Sequence, residues 1–438
     1  MATFHLCWPD PEDMSRFGFA SLRDVPCIFD GEDKYHDEAS WYLRERALRE
    51  WSPELQGPVL FPSSYPTEVS MATYGNALVN FLEWTSDSMR DWRKLEYSKD
   101  VMLGYEAQML DGSWSVRNLP LAPRTVNLRV DEACSFLSWA AQKSLRPEFK
   151  VVTGTVFVRH PRKRAQQITE QQRAGRVRPA VTALYMPSQA KVDRWLASVH
   201  ARSGRTKGLM CEAIIGSGIR REEVVQLRKT SIPPTEDVIN LQDDANVEIE
   251  ITFGAKGPKI RTGKDELRGP SRTVFMSAAL VKGLCAYRDG LRNESLAKYV
   301  READSLAERR QRMKSHGNRL FISEATGRPV TAERIYEAWT QAPHCPYLGW
   351  SPHPGRHYWA CHKLLSLMRI QSNISRAQAI RDPLGFDNTA RTLLQILIQP
   401  QLGHVDEETT LLYLRWLRMS FLATDIADDW NSAMDDEQ

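Results

Sequence analysis

Three separated segments of the 438-residue chain hold residues suited to work on an anion. In the first, GSGIRREEVVQL, Gly216 and Gly218 allow a tight turn and Arg220 stands where that turn enters a new helix. The second, HPGRH, contains His353, Arg356 and His357, and the third, LGHVDEETTLLYLRW, places His404 nine residues before Tyr413. A phosphodiester repels nucleophiles because it is an anion, and its transition state gathers more charge on the nonbridging oxygens. Guanidinium groups are planar, permanently charged forks that match those oxygens. Arg220 and Arg356 are therefore expected to clamp one phosphate from two directions, with no metal required.

Taken singly, an arginine after a glycine turn is usually a surface residue, and a tyrosine two turns into an amphipathic helix usually packs. The weight lies in three segments standing in one order. In that order they resemble the tyrosine recombinase (phage integrase) family, which pairs a G-x-R-x-x-E turn, an H-x-x-R box and an LGH box whose tyrosine follows nine residues after the histidine. Thr409 and Thr410 add a TT doublet to the match. The resemblance implies that Tyr413 attacks phosphorus, forming a 3′-phosphotyrosyl link and freeing a 5′-hydroxyl. A phenol with a pKa of about 10 needs a base and a cationic field to ionise. His353 is the expected partner in that proton transfer. The family protonates the leaving oxygen from a lysine in a strand hairpin, a place matched by Lys256, with Lys259 and Lys264 as competitors on the same loop. His404 would hydrogen-bond the phosphate, and Glu223, one helical turn after Arg220, would orient the active-site turn.

The same resemblance implies a site-specific recombinase or integrase of a mobile element, acting on double-stranded DNA without cofactors. It implies a homotetramer that exchanges strands through a four-way junction, with accessory recombination proteins as further partners. The alternatives are a type IB topoisomerase-like or telomere-resolving enzyme and a DNA-binding regulator with a decayed site. The implied fold is mainly α with a small antiparallel sheet: a helical, SAM-like core-binding domain and a mixed α+β catalytic domain forming a C-shaped DNA clamp. The chain departs from the family in its longer spacing from Arg220 to Lys256 and from Arg356 to His404, and in the extra residues 1–65. RIQSNISRAQAIRDPLGFDNTARTLLQ is the expected insertion in the second of these spacings.

The elements that must position these residues are legible from periodicity. Met71, Tyr74, Leu78 and Phe81 fall at helical spacing, as do Val126, Val130, Cys134, Leu137 and Ala141. A third helix is expected around Val192, Trp195, Leu196 and Val199, with Ser188 as its N-cap, followed by a buried helix ending at GSG. VEIEITF alternates Val247, Ile249, Ile251 and Phe253 against Glu248, Glu250 and Thr252, which predicts a half-buried strand returning through a long basic loop as TVFM. From Ser277 onward helices are expected, with the thirteen tryptophans serving the core.

The domains expected are an acidic N-terminal extension over 1–65, a helical core-binding domain over 66–150, a basic linker over 151–186, a catalytic domain over 187–418 and an acidic tail over 419–438. Residues 1–65 and 419–438 each carry a net charge of −6, which leaves +15 on the interior of a chain whose total is +3. That asymmetry points to a polyanion-binding body. Between Arg159 and Arg178, Arg159, Arg162, Lys163, Arg164, Arg173, Arg176 and Arg178 face a single acid, Glu170, and are expected to meet DNA phosphates.

Other classes fall away. No apolar run approaches the about eighteen residues of a membrane span, and the acidic start lacks the basic, then apolar, pattern of a secretory signal. Seven scattered cysteines without a CxxC pair argue for reduced thiols in a cytoplasmic, nucleoid-associated protein. HYWACH lacks the histidine and carboxylate spacing of a metal site. GPKIRTGKD has five residues before its GK pair and Asp265 after it, so it is no Walker loop. His357 is as suited to a structural as to a functional place.

Overall fold

A computed structural model describes residues 4–60, 65–159, 167–178, 184–254, 260–261, 267–268, 271–372, 382–403 and 411–420. Among these the fold is mainly helical, with two-stranded antiparallel sheets, as expected. The chain divides into two compact units, Met1–Val181 and Thr182–Gln438. No described helix is long and apolar enough to cross a membrane.

In the first unit the expected stripes lie inside. Met71, Leu78 and Phe81 of the Glu68–Asp87 helix and Val126, Val130, Cys134 and Leu137 of the Pro123–Gln142 helix are buried. Thr67 caps the first helix by accepting from Ser70 N–H at 3.3 Å, and Pro123 opens the second at a position where no amide hydrogen is needed. The described residues 4–60 do not stand apart as a separate extension. The Asp37–Leu48 helix puts Tyr42 and Leu43 into the same core, where the Tyr42 ring meets Trp51, Phe136 and Trp139 edge-on. Counting acids concealed this, because some of them are internal partners: the Glu45 carboxylate accepts from Trp139 Nε1 at 2.9 Å and from Lys143 Nζ at 2.6 Å.

The basic stretch also gains structure, since Thr153–Arg159 pairs antiparallel with Gln167–Arg173. Arg162, Lys163 and Arg164 lie outside the described residues. Arg173 corrects the expectation of a phosphate contact. Its guanidinium is buried and donates to Asp131 Oδ1 at 2.7 Å, to Asn127 Oδ1 at 2.9 Å and to Glu106. A charge count along the sequence cannot see acids brought opposite by another helix. Arg176 and Arg178 remain exposed, and Arg176 pairs with Asp131 at 2.9 Å.

The second unit opens with Gln189–Ser217, two helical stretches separated at Gly204, whose φ of 85° and ψ of 171° interrupt the helix. Val192, Trp195 and Val199 are buried as expected, while Ser188 holds the N-cap position without a side-chain hydrogen bond. Asn246–Ile251 pairs antiparallel with Arg272–Ser277, bringing Ile249 opposite Val274 and burying both. One core gathers around Trp195, Leu209, Ile214, Ile249, Val274, Trp339 and Trp350. A second, around Leu364, Met368, Phe386, Leu394, Leu402, Leu414 and Leu417, seats Tyr413. Phe386 and Leu394 belong to the expected insertion, so part of that segment is core, carried by the Pro383–Leu393 helix and the turn after it.

Candidate active site

The site begins at the glycine turn. Gly218 follows the long helix with a left-handed φ of 71°, and a Cβ there would stand 2.6 Å from the Trp359 ring. The chain then straightens at Arg220, the N-cap of the Arg221–Gln226 helix. Arg220 donates its backbone N–H and its Nη1 to the Glu223 carboxylate at 2.7 and 3.0 Å, and its Nη2 to Gly403 O at 2.9 Å. Glu223 is fully buried and is gripped from its other side by Arg272, whose two Nη atoms donate at 3.0 and 2.8 Å. One carboxylate thus fixes two guanidiniums and one turn.

The Pro352–Ser372 helix supplies His353, Arg356 and His357, whose spacing sets all three on one face. Arg356 is 2% exposed, and it donates to Gly218 O at 2.6 Å and to Leu402 O. It therefore ties together the turn before Arg220 and the turn before His404. Burial, reinforced by the nearby Arg220 and Arg272 cations, pulls its pKa down to about 9. A guanidinium stressed in this way is stabilised by an arriving anion.

Tyr413, on the helix over 411–420, is 1% exposed. Its hydroxyl lies 2.8 Å from His357 Nδ1, and His357 Nε2 lies 3.0 Å from His353 Nε2. Burial pushes the phenol pKa up, Cys361 adds to this, and the Arg356 and Arg220 cations oppose it. Burial, with His353 and Arg356 nearby, lowers His357 to about 4, so its ring is neutral at neutral pH.

Arg220, Arg221, Arg356, His353, Ser351, Tyr336 and Glu222 line a cleft of about 280 Å³. Three cations against one acid, beside a tyrosine–histidine chain, give the cleft a charge that could hold an anion such as a phosphate. Among the described residues no group of three His, Cys, Asp or Glu could hold a metal ion.

Of the residues singled out in the sequence, Arg220, Glu223, His353, Arg356 and Tyr413 are brought together. Lys256 and His404 lie outside the described residues, although Gly403, immediately before His404, is held by Arg220. Arg272 and Gln401 went unread. Gln401 donates Nε2 to Ser217 O and Phe275 O, both at 2.9 Å, and accepts from Phe275 N–H at 2.8 Å. No sequence signal marks either residue, but the i, i+4 spacing of His353 and His357 was a signal for the histidine pair.

No protein-family model matches the chain, and no curated protein does. Solved structures do. One is the XerH site-specific recombinase bound to palindromic difH substrate in a post-cleavage complex, at 14% identity and a TM-score of 0.48, covering 83% of this chain and 81% of that one. At 14% identity this is a likeness of fold. A second is the Tn1549 transposon integrase in complex with circular intermediate DNA, at 12% identity and a TM-score of 0.43, over 86% of this chain and 94% of that one. A third is a lambda integrase dimer bound to a COC′ core site, at 10% identity and a TM-score of 0.39, over 79% and 88%.

Proposed function

We propose that the chain is a site-specific DNA recombinase that cleaves and rejoins double-stranded DNA through a covalent 3′-phosphotyrosine at Tyr413. The observation that carries this reading is the convergence of Arg220, Arg356 and His353 on one cleft, with Tyr413 joined to His353 through a single histidine. Arg220 and Arg356 take the nonbridging oxygens and neutralise the charge that grows on them. The ester formed with Tyr413 keeps the energy of the broken bond, so a second strand can reverse the step without ATP or a metal ion. In this reading Lys256 protonates the leaving 5′-oxygen, His404 hydrogen-bonds the phosphate, and the exposed linker arginines meet the backbone. Four copies assemble on DNA, serving integration, excision or transposition of a mobile element.

Covalent trapping tests it. The full chain is incubated with nicked or bubble-containing DNA carrying the ends of its own element, then denatured. The expected result is a denaturant-resistant protein–DNA adduct that disappears in Tyr413→Phe. Absence of an adduct on every such DNA would move the reading to a DNA-binding protein without cleavage chemistry.

A further inference from the structure

The sequence pattern assigns proton transfer to His353, yet the Tyr413 hydroxyl lies 2.8 Å from Nδ1 of His357. We propose that His357 is the immediate proton acceptor of Tyr413 and that His353 is the second station of a two-histidine relay opening into the cleft. This inference rests on the proposed phosphotyrosine reaction. The relay is built along one helix face, where i, i+4 spacing sets the imidazoles 3.0 Å apart through their Nε2 atoms. His357 is 9% exposed, while His353 lines the cleft with Arg220 and Arg356. The inner ring therefore has access to the nucleophile and the outer ring to solvent and substrate.

The relay requires one set of tautomers. For Tyr413 to donate to His357 Nδ1, His357 must carry its hydrogen on Nε2, which then donates to His353 Nε2; His353 keeps its own hydrogen on Nδ1. On reaction the Tyr413 proton passes to His357 Nδ1, and the His357 Nε2 proton passes to His353 Nε2. The phenolate oxygen then bonds to phosphorus as the phosphorus–O5′ bond breaks. One proton has left Tyr413 and the departing 5′-oxygen takes up one, so the count closes. Loss of the Nδ1 proton of the His353 imidazolium to the cleft leaves both rings neutral in the opposite tautomers; on rejoining, His353 takes a proton back at Nδ1, its Nε2 proton returns to His357 Nε2 and the His357 Nδ1 proton returns to the departing Tyr413 oxygen, which restores the starting tautomers.

The experiment is single-turnover cleavage of the nicked DNA used for trapping, with wild type, His357→Phe, His357→Asn, His353→Gln and the double variant His353→Gln/His357→Phe. DNA binding is measured alongside. Each single variant should cleave at least about 100-fold more slowly with binding unchanged. The double variant should be no slower than the slower single one, because stations of one relay fail together. A proton inventory in mixed H₂O and D₂O should curve for wild type, with two protons in flight, and become linear for His353→Gln. His357→Asn retains a polar side chain and is decisive where the bulkier phenylalanine disturbs folding. A His357 variant that cleaves at the wild-type rate, or faster, would overturn the relay and mark the contact as a resting latch on Tyr413. Multiplying rate losses in the double variant would overturn it as well. Failure of the underlying reaction would look different, since wild type itself would form no adduct.

Discussion

Glu223→Ala should unsettle both the fold and the chemistry. The carboxylate is fully buried and accepts four hydrogen bonds, one from the Arg220 backbone, one from the Arg220 side chain and two from Arg272. Removing it strands the Arg272 guanidinium, whose side chain is only 14% exposed, beside two other arginines. Breaking a buried ion pair from one side costs about 3–5 kcal/mol, most of it the uncompensated charge left behind. In a unit of this size each kcal/mol moves the melting temperature by about 2–4 °C, so a fall of roughly 6–20 °C is expected. Calorimetry on the purified chain reads it. The discriminating variant is Glu223→Leu/Arg272→Leu, which removes both buried charges and should regain most of the lost stability. Cleavage should not return with it, because Arg220 has lost the group that aims its fork. A Glu223→Ala loss below about 1 kcal/mol, the range of an exposed pair, would refute the reasoning.

Gly218→Ala should cost at least about 1 kcal/mol, because φ is 71° and the new methyl meets Trp359, and Arg220 at the end of that turn should clamp phosphate less well; thermal melts and cleavage rates check both. The pH dependence of stability should carry the His357 signature: with a folded pKa near 4 against about 6.5 unfolded, stability is present above pH 6.5 and lost as pH falls towards 4. His357→Asn should flatten that part of the curve in denaturant titrations at several pH values. DNA affinity should fall steeply between about 50 and 200 mM salt, and a flat titration would rule out extensive phosphate contact. Arg162, Lys163 and Arg164 changed together to Ala should weaken binding in a shift assay while leaving the melting temperature unchanged.

What could be read from the sequence divides along physical lines. Periodicity finds elements that are buried on one face, so the stripes at Val126–Leu137 and Val247–Ile251 fell where expected. Spacing also singled out Arg220, Glu223, Arg356 and Tyr413, which the fold gathers in one place, because two glycines, a helical turn and a nine-residue interval leave marks in one dimension. Charge balance was a poorer guide. It took residues 1–65 for an extension and Arg173 for a phosphate ligand, since a buried carboxylate or guanidinium looks in sequence like a solvated one. Arg272 and Gln401 were illegible for a related reason: their partners stand 49 and 126 residues away, at Glu223 and Phe275, and only the fold makes them neighbours.

Gln401 carries one further consequence. Its amide satisfies both the N–H and the C=O of Phe275, as an adjoining strand would, and also reaches the carbonyl of Ser217 at the end of the long helix. At Phe275 the sheet edge is therefore closed to recruitment by another chain. A single side chain also clasps three parts of the molecule that cleavage chemistry would need in register: the strand returning from the lysine loop, the helix end before Arg220 and the turn before His404.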